Sequence, residues 1–306
     1  MSAWLHDSDL PLTAHVTVLR GAHGGRYPDG NSVVVRGADG VALIDPSLTV
    51  HGRAGLGERV DRVLISHAHE DHIAGLSTVD ATHVGVHEAD LLGVRSVDGI
   101  MEVYGLHTDA ATAGEWRNTL VQQFHLTGRP DAMGFADGAT WDLGGVNVTA
   151  LHLPGHTRGH TAFLVEPDGV AYVGDIDLTG FGPYYGDHWS DLDAFVRSIA
   201  RAEEIEARWY ATFHQKGVVE GSEEFLAQLR RFAAVIDRRD ERLLELIGQG
   251  PATVDRLVDE GIVYRPGTRP VGFGESVEWR TITLHLARLA RLGVVVRCAD
   301  GSLRLP

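Results

Sequence analysis

Ser66-His67-Ala68-His69-Glu70-Asp71-His72 places three histidines and an aspartate within six positions, in the spacing H-x-H-x-D-H. Imidazole suits zinc, iron and related metals, and a neighbouring carboxylate lets a metal-bound water be held and oriented. The preceding stretch, Val60-Asp61-Arg62-Val63-Leu64-Ile65, alternates and then turns apolar, as a buried strand does. The candidate ligands therefore fall on the loop leaving a strand, where α/β enzymes build their sites. With 17 histidines in 306 residues some clustering is expected by chance, but four candidate ligands in six positions serve few purely structural needs.

Three further segments carry the same signature. Pro154-Gly155-His156-Thr157-Arg158-Gly159-His160 follows the apolar run 146–153. Tyr172-Val173-Gly174-Asp175-Ile176-Asp177 follows another, and Tyr210-Ala211-Thr212-Phe213-His214 ends a third. Each puts a histidine or an aspartate at the end of a strand-like segment.

In this order the motifs resemble those of the metallo-β-lactamase-fold hydrolase superfamily, in its glyoxalase II-like and lactonase-like branch, over roughly residues 15–220. The resemblance implies an α/β fold, a four-layer αβ/βα sandwich with the site at one edge of two packed sheets. It implies that His67, His69 and His156 hold a first metal, that Asp71, His72 and His214 hold a second, and that Asp175 bridges the two. Two divalent ions follow, zinc first, with iron or manganese as alternatives. A water shared between such ions loses a proton near neutral pH, since zinc alone brings bound water to a pKa of about 7. The expected enzyme is a dinuclear metal-dependent hydrolase, with Asp71 at the water and an ester, thioester or lactone carbonyl as target.

Other residues are read less sharply. Asp45, at the end of Val41-Ala42-Leu43-Ile44, either fixes the tautomer of a ligand histidine or closes a strand-end turn. His160 reads as a supporting contact and not a ligand, Asp177 as a loop support, and Glu70 as solvated if the run is extended. Tyr184 and Tyr185, in the Gly-, Pro- and aromatic-rich loop 178–189, are candidate donors to a developing oxyanion, against the alternative of an aromatic plug. The insert 88–140, with Tyr104, His107, Trp116, Phe124, His125 and Phe135, either lines a pocket or packs as a shoulder; Glu115 to Phe124 within it looks helical.

A domain boundary is expected between 220 and 221. Residues 222–248 read as a long helix with Phe225, Leu226, Leu229, Phe232, Val235 and Ile236 as its apolar stripe. A short helix from Pro251 through Glu260, a third from Ser276 to Leu292, and a hairpin around Ala299-Asp300-Gly301 complete a smaller, winged-helix-like C-terminal domain. Residues 1–220 hold 14 Lys+Arg and 30 Asp+Glu, a net −16; residues 221–306 hold 13 and 12, a net +1. An acidic body repels nucleic acid, because phosphate neutralisation supplies most non-specific affinity. A third helix carrying Arg280, Arg288 and Arg291 beside Glu278 lacks a clear basic face. The tail is thus expected to pack on the body, wall a pocket or contact another subunit. A homodimer is allowed.

A single cysteine, Cys298, excludes an internal disulfide and suits a reducing cytoplasm. The stretch from Met1 to Asp7 lacks a basic region followed by an apolar one, so no signal peptide is expected. No run approaches a membrane span. The expected partner is a small-molecule substrate. Three other readings share parts of the pattern: a metal-dependent nuclease, a mononuclear iron persulfide dioxygenase, and a DNA-binding regulator that uses the tail.

Overall fold

A computed structural model describes residues 9–53, 56–106, 109–250, 252–264 and 267–306; His107, Pro251 and the stretch Met1–Asp7 lie outside the described residues. Seven strands form one sheet in chain order: Leu10–Pro11 (β1), Val16–Leu19 (β2), Ser32–Arg36 (β3), Val41–Ile44 (β4), Val60–Ile65 (β5), Ala81–His87 (β6) and Met133–Phe135 (β7). Pairing is antiparallel up to β4 and parallel from β4 to β7. Six strands form the second: Thr140–Asp142 (β8), Asn147–His152 (β9), Thr161–Glu166 (β10), Val170–Tyr172 (β11), Trp209–Ala211 (β12) and Val218–Glu220 (β13). Val296–Arg297 (β14) and Leu303–Arg304 (β15) make the expected C-terminal hairpin.

Alternation along the strands builds three stacked cores. In β3, Val33 and Val35 face the second sheet while Val34 faces outward to helices; in β5, Leu64 points inward and Val63 and Ile65 outward. In β10 and β11, Phe163 and Tyr172 meet the first sheet, and Ala162 and Ala171 turn to the other side. A strand with both faces buried reads as an apolar run, as 63–65 does. Helices Leu48–Gly52 (α1), Glu70–Ile73 (α2), Leu91–Arg95 (α3), Val97–Tyr104 (α4) and Ala110–Gln122 (α5) cover the first sheet, and Leu192–Ala202 (α6) and Ser222–Gly248 (α7) cover the second. The result is helix, sheet, sheet, helix.

The insert 88–140 is mostly helical but ends in β7. Its helix α5 starts at Ala110, earlier than the apolar pattern implies, because the Asp109 side chain accepts the backbone N–H groups of Ala111 and Thr112 and caps it.

Val254–Glu260 (α8) and Gly274–Arg291 (α9) complete the chain. Their apolar faces, with Leu257, Ile282, Leu286 and Leu289, enclose a fourth core. The expected division at 220/221 falls just before α7, which both regions share. Phe225, Leu229, Phe232 and Ile236 pack on the second sheet, whereas Leu243, Leu246 and Ile247 belong to the C-terminal core. Each such fully buried side chain contributes about 1.5–3 kcal/mol, so α7 fastens the tail to the body. Among the described residues no helix is long and apolar enough to cross a membrane.

Candidate metal centre

The loops that leave the C-terminal ends of β4, β5, β9, β11 and β12 meet at one edge of the sandwich. They bring all seven expected ligands into two groups. His67, His69, His156 and Asp175 form one, and Asp71, His72 and His214 the other, with ligand atoms in each group within 4.8 Å of one another.

In the first group, His67 Nε2, His69 Nδ1 and His156 Nε2 stand at the corners of a triangle with sides of 3.0 Å. The other nitrogens of His156 and His67 are hydrogen-bonded to protein atoms, and that of His69 faces a carboxylate. His156 Nδ1 donates to the carbonyl of Tyr184 at 2.9 Å, His67 Nδ1 lies 3.0 Å from Ser66 Oγ, and His69 Nε2 lies 3.0 Å from Asp187 Oδ2. In the second group, His214 Nδ1 donates to the carbonyls of Asp29 and Gly25, and its Nε2 lies 3.2 Å from Asp71 Oδ2. Asp175 spans both: Oδ2 is 3.3 Å from His156 Nε2, and Oδ1 is 3.1 Å from His72 Nε2. His72 Nε2 and Asp175 Oδ1 are buried and form no hydrogen bond among the described residues. Buried polar atoms rarely lack a partner, and a shared cation would satisfy the three converging nitrogens. The residues fit a dinuclear metal site.

Asp45 resolves as a support. Fully buried, it accepts from Ser66 N–H (2.7 Å), Ser66 Oγ (2.5 Å), Tyr172 Oη (2.6 Å) and His72 Nδ1 (2.7 Å). This holds His72 with Nε2 toward the second group, while Phe213 stacks on its ring at 3.5 Å. A Cβ on Gly30 would collide with the Phe213 ring, so glycine there lets the chain pass the stack. His160 is a support too: Nδ1 donates to Leu153 O, and Nε2 accepts the backbone N–H of Asp175 at 3.1 Å. Asp177 accepts from Thr179 N–H, as a loop support does.

Burial and neighbouring charge shift these groups strongly. Burial, reinforced by the imidazoles of His72 and His156, drives His67 well below the usual histidine range. Burial drives His160 down to about 3 and Asp177 up to about 6. Burial also opposes charge on His72, but Asp175, Asp45 and Asp71 outweigh it and hold the imidazole well above its usual value. For Asp175 the positive fields of His72 and His214 likewise overcome burial and keep the carboxyl ionised.

Glu70 corrects the sequence reading. It is 4% exposed, and Tyr27 Oη donates to it at 2.8 Å while Tyr104 Oη donates to its other oxygen. The run is not extended there: α2 begins at Glu70, so the side-chain alternation that would send it to solvent does not apply. Tyr185 is also placed elsewhere. Its hydroxyl accepts from Arg239 and meets His285 Nε2 at 2.9 Å inside the third core, away from the metal groups. Tyr184 stands on the wall, its ring 5.6 Å from that of His156, and its hydroxyl donates to Asp187 at 3.0 Å.

A cavity of about 370 Å3 opens above the two groups. Its wall takes Tyr104 and Trp116 from the insert, Phe181 and Tyr184 from the 178–189 loop, and Tyr264, Phe273 and Val277 from the tail. The tail therefore walls the pocket. Glu278 on α9, fully buried, accepts the N–H groups of Ile262, Val263 and Tyr264 and so secures the Tyr264 loop. Arg280 donates to the carbonyls of Asp187, His188 and Ser190; Arg288 and Arg291 pair with Asp240 and Asp193. The arginines that would serve a recognition helix are turned onto the body.

Residues 26–214 match the family model of the metallo-beta-lactamase superfamily. The chain belongs to this superfamily. Within it, the protein is 25% identical over 262 residues to a hydroxyacylglutathione hydrolase of Methylococcus capsulatus, covering 84% of this chain and 85% of that one. It is 34% identical over 166 residues to a hydroxyacylglutathione hydrolase of Acidiphilium cryptum, and 25% identical over 173 residues to the acyl-coenzyme A thioesterase MBLAC2 of Bos taurus. These two matches cover 54% and 50% of this chain and 51% and 61% of the relatives. A metallo-beta-lactamase family protein of Thermus thermophilus shares the fold, with a TM-score of 0.70 at 22% identity over 97% of this chain and all of that one.

Several contributors escape sequence reading. Tyr27 follows Gly24-Gly25 in what reads only as a turn, and Asp187 and Tyr264 sit in loops without a motif. The sole signal for them is an acidic or aromatic residue beside glycine and proline.

Proposed function

We propose that this superfamily member is a hydrolase that uses two divalent metal ions to cleave an ester, thioester or lactone. The observation that carries the reading is Asp175, whose two oxygens face the two ligand groups. When bound, the ions would supply a water acidified toward neutral pH and a Lewis acid for the carbonyl oxygen. His67, His69, His156 and Asp175 would hold the first ion, and Asp71, His72, His214 and Asp175 the second. Asp45, Asp187, Ser66 and the carbonyls of Tyr184, Gly25 and Asp29 orient the imidazoles, so that none must reorganise as the reaction proceeds. Tyr184 shapes the wall beside His156, with its proton committed to Asp187. The Trp116, Phe181 and Phe273 side excludes water from the acyl group.

The hydroxyacylglutathione hydrolases and the acyl-coenzyme A thioesterase among the relatives support an acyl carbonyl as target. The full second group weighs against a mononuclear iron enzyme, and the committed arginines of α9 weigh against DNA. The tail, three helices and a hairpin, is read as a winged-helix-like module turned to pocket building, with residues 1–220 as the catalytic region.

The test combines elemental analysis with a panel of esters, thioesters, lactones and phosphodiesters. Wild-type protein is expected to bind two equivalents of zinc, iron or manganese and to hydrolyse carbonyl substrates. Asp175→Ala is expected to lose the second equivalent together with about 100-fold or more of kcat. Full activity with one ion per chain overturns the reading.

A further inference from the structure

The wall facing the metal groups is aromatic, and its rings come from the insert, the 178–189 loop and the tail. Trp116 lies 5.6 Å from Tyr104 on one side and 5.6 Å from Phe273 on the other, ring centre to ring centre. Phe181 and Tyr264 pair at 6.1 Å, and Tyr184 stands against His156. Such a surface desolvates apolar groups and offers π faces, which carry partial negative charge.

The polar part of the lining is acidic. Glu70, Asp177 and Asp187 add three carboxylates to Asp71 and Asp175. Three of the lining hydroxyls are already used: Tyr27 and Tyr104 donate to Glu70, and Tyr184 donates to Asp187. Among the described residues of the lining there is no lysine or arginine. Two divalent ions bring four positive charges against five carboxylates, so the cavity has no surplus to attract a second anionic group on a substrate. A glutathione thioester brings two carboxylates and a coenzyme A thioester brings phosphates. Neither finds a lysine or arginine among the described residues of this lining.

We infer that the cavity takes a neutral ester whose acyl part is an aromatic or similarly flat apolar group, and that it discriminates against glutathione and coenzyme A thioesters. The inference rests on the hydrolase reading above. Water adds across the acyl C–O bond; the acyl group leaves as a carboxylate with release of a proton, and the alkoxy oxygen takes the other proton to become an alcohol. Phe273 and Phe181 determine this specificity, one from the start of α9 and one from the loop after Asp177. Phe181 is 40% exposed, so truncating it leaves the core intact.

The test uses metal-loaded full-length protein with 4-nitrophenyl 3-phenylpropionate, its analogue carrying a carboxylate on the phenyl ring, 4-nitrophenyl acetate and S-lactoylglutathione. The neutral aryl ester is expected to exceed both anionic substrates in kcat/KM by about tenfold or more, as like charges facing each other require. Phe273→Ala and, independently, Phe181→Ala should lower the ratio of kcat/KM for the aryl ester to that for the acetate ester, each by about tenfold. Calorimetry with metal-free protein supplies a readout apart from catalysis: 3-phenylpropionamide should bind more tightly than its ring-carboxylated analogue. Preference for the carboxylated ester or for S-lactoylglutathione overturns this inference and leaves the hydrolase reading standing. No turnover of any ester or thioester overturns both.

Discussion

Arg280, on the last helix of the chain, donates to the backbone carbonyl of Asp187, and the carboxylate of Asp187 lies 3.0 Å from Nε2 of His69. The tail thus reaches the first ligand group through one residue. The Arg280 guanidinium also holds the carbonyls of His188 and Ser190, which fixes the loop that carries Asp187.

Arg280→Ala is therefore expected to lower kcat about tenfold, because small displacements at a reacting centre are amplified in rate. The affinity of the first ion should fall while that of the second is kept, read by elemental analysis after graded chelation. Arg280→Lys should recover little, since an ammonium cannot span three carbonyls as a planar fork does. Equal loss of both ions would assign Arg280 a general structural role.

Asp45→Asn tests the support of the second group. Asp45 has φ of 48°, a conformation that asparagine tolerates, so the exchange preserves the backbone. An amide cannot accept from His72, Ser66 and Tyr172 together. Affinity for the second ion should drop about 10- to 100-fold, measured by competition with a chromogenic chelator. An unchanged affinity sinks the assignment.

Asp90 joins the two loops of the first group. It accepts from Ala68 N–H and Thr157 Oγ on one oxygen and from Gly159 N–H on the other, all buried. Asp90→Ala strands three donors, and unfolding stability should fall by about 3 kcal/mol or more. Chemical denaturation reads this directly; a loss near zero would mean that water replaces the carboxylate.

Stability should also respond to pH through His87, which stacks on His152 at 3.8 Å and accepts the N–H of Ala89 on Nδ1. Burial, with help from His152, lowers its pKa from 6.5 to about 4. The unfolded chain therefore takes up this proton first as the pH falls. The contribution is complete above 6.5 and disappears as the pH approaches 4. His87→Gln should flatten the stability curve across that window, and an identical slope in both proteins would contradict the assignment.

The candidate ligands were legible because each follows a buried strand, and an apolar run ending in histidine or aspartate survives in one dimension. The sheets were legible for the same reason, as Val33, Val34 and Val35 with Ala42, Leu43 and Ile44 show. The pocket was not. Tyr27, Trp116, Phe181, Tyr264 and Phe273 are far apart in the chain, and no local spacing marks rings that meet only after folding. Glu70 was misread because a four-residue helical turn inside a ligand run leaves no periodicity to detect. The arginines of α9 read as a faint basic face because their acceptors, the carbonyls of 187–190 and the carboxylates of Asp193 and Asp240, lie elsewhere in sequence.

Helix α7 carries a consequence for how such chains can be cut and recombined. Tyr210 stacks on Phe225 at 3.8 Å, so the last strands of the second sheet are roofed by residues beyond the family match, which ends at 214. A fragment stopping at 220 would leave that sheet face covered by α6 alone, and one starting at 221 would carry half a helix with nothing beneath it. The smallest heritable unit is then longer than the motif-bearing region. A graft that exchanges the tail between relatives must carry the first four turns of α7 with its own sheet, or the recipient inherits a pocket wall without the beam that supports it.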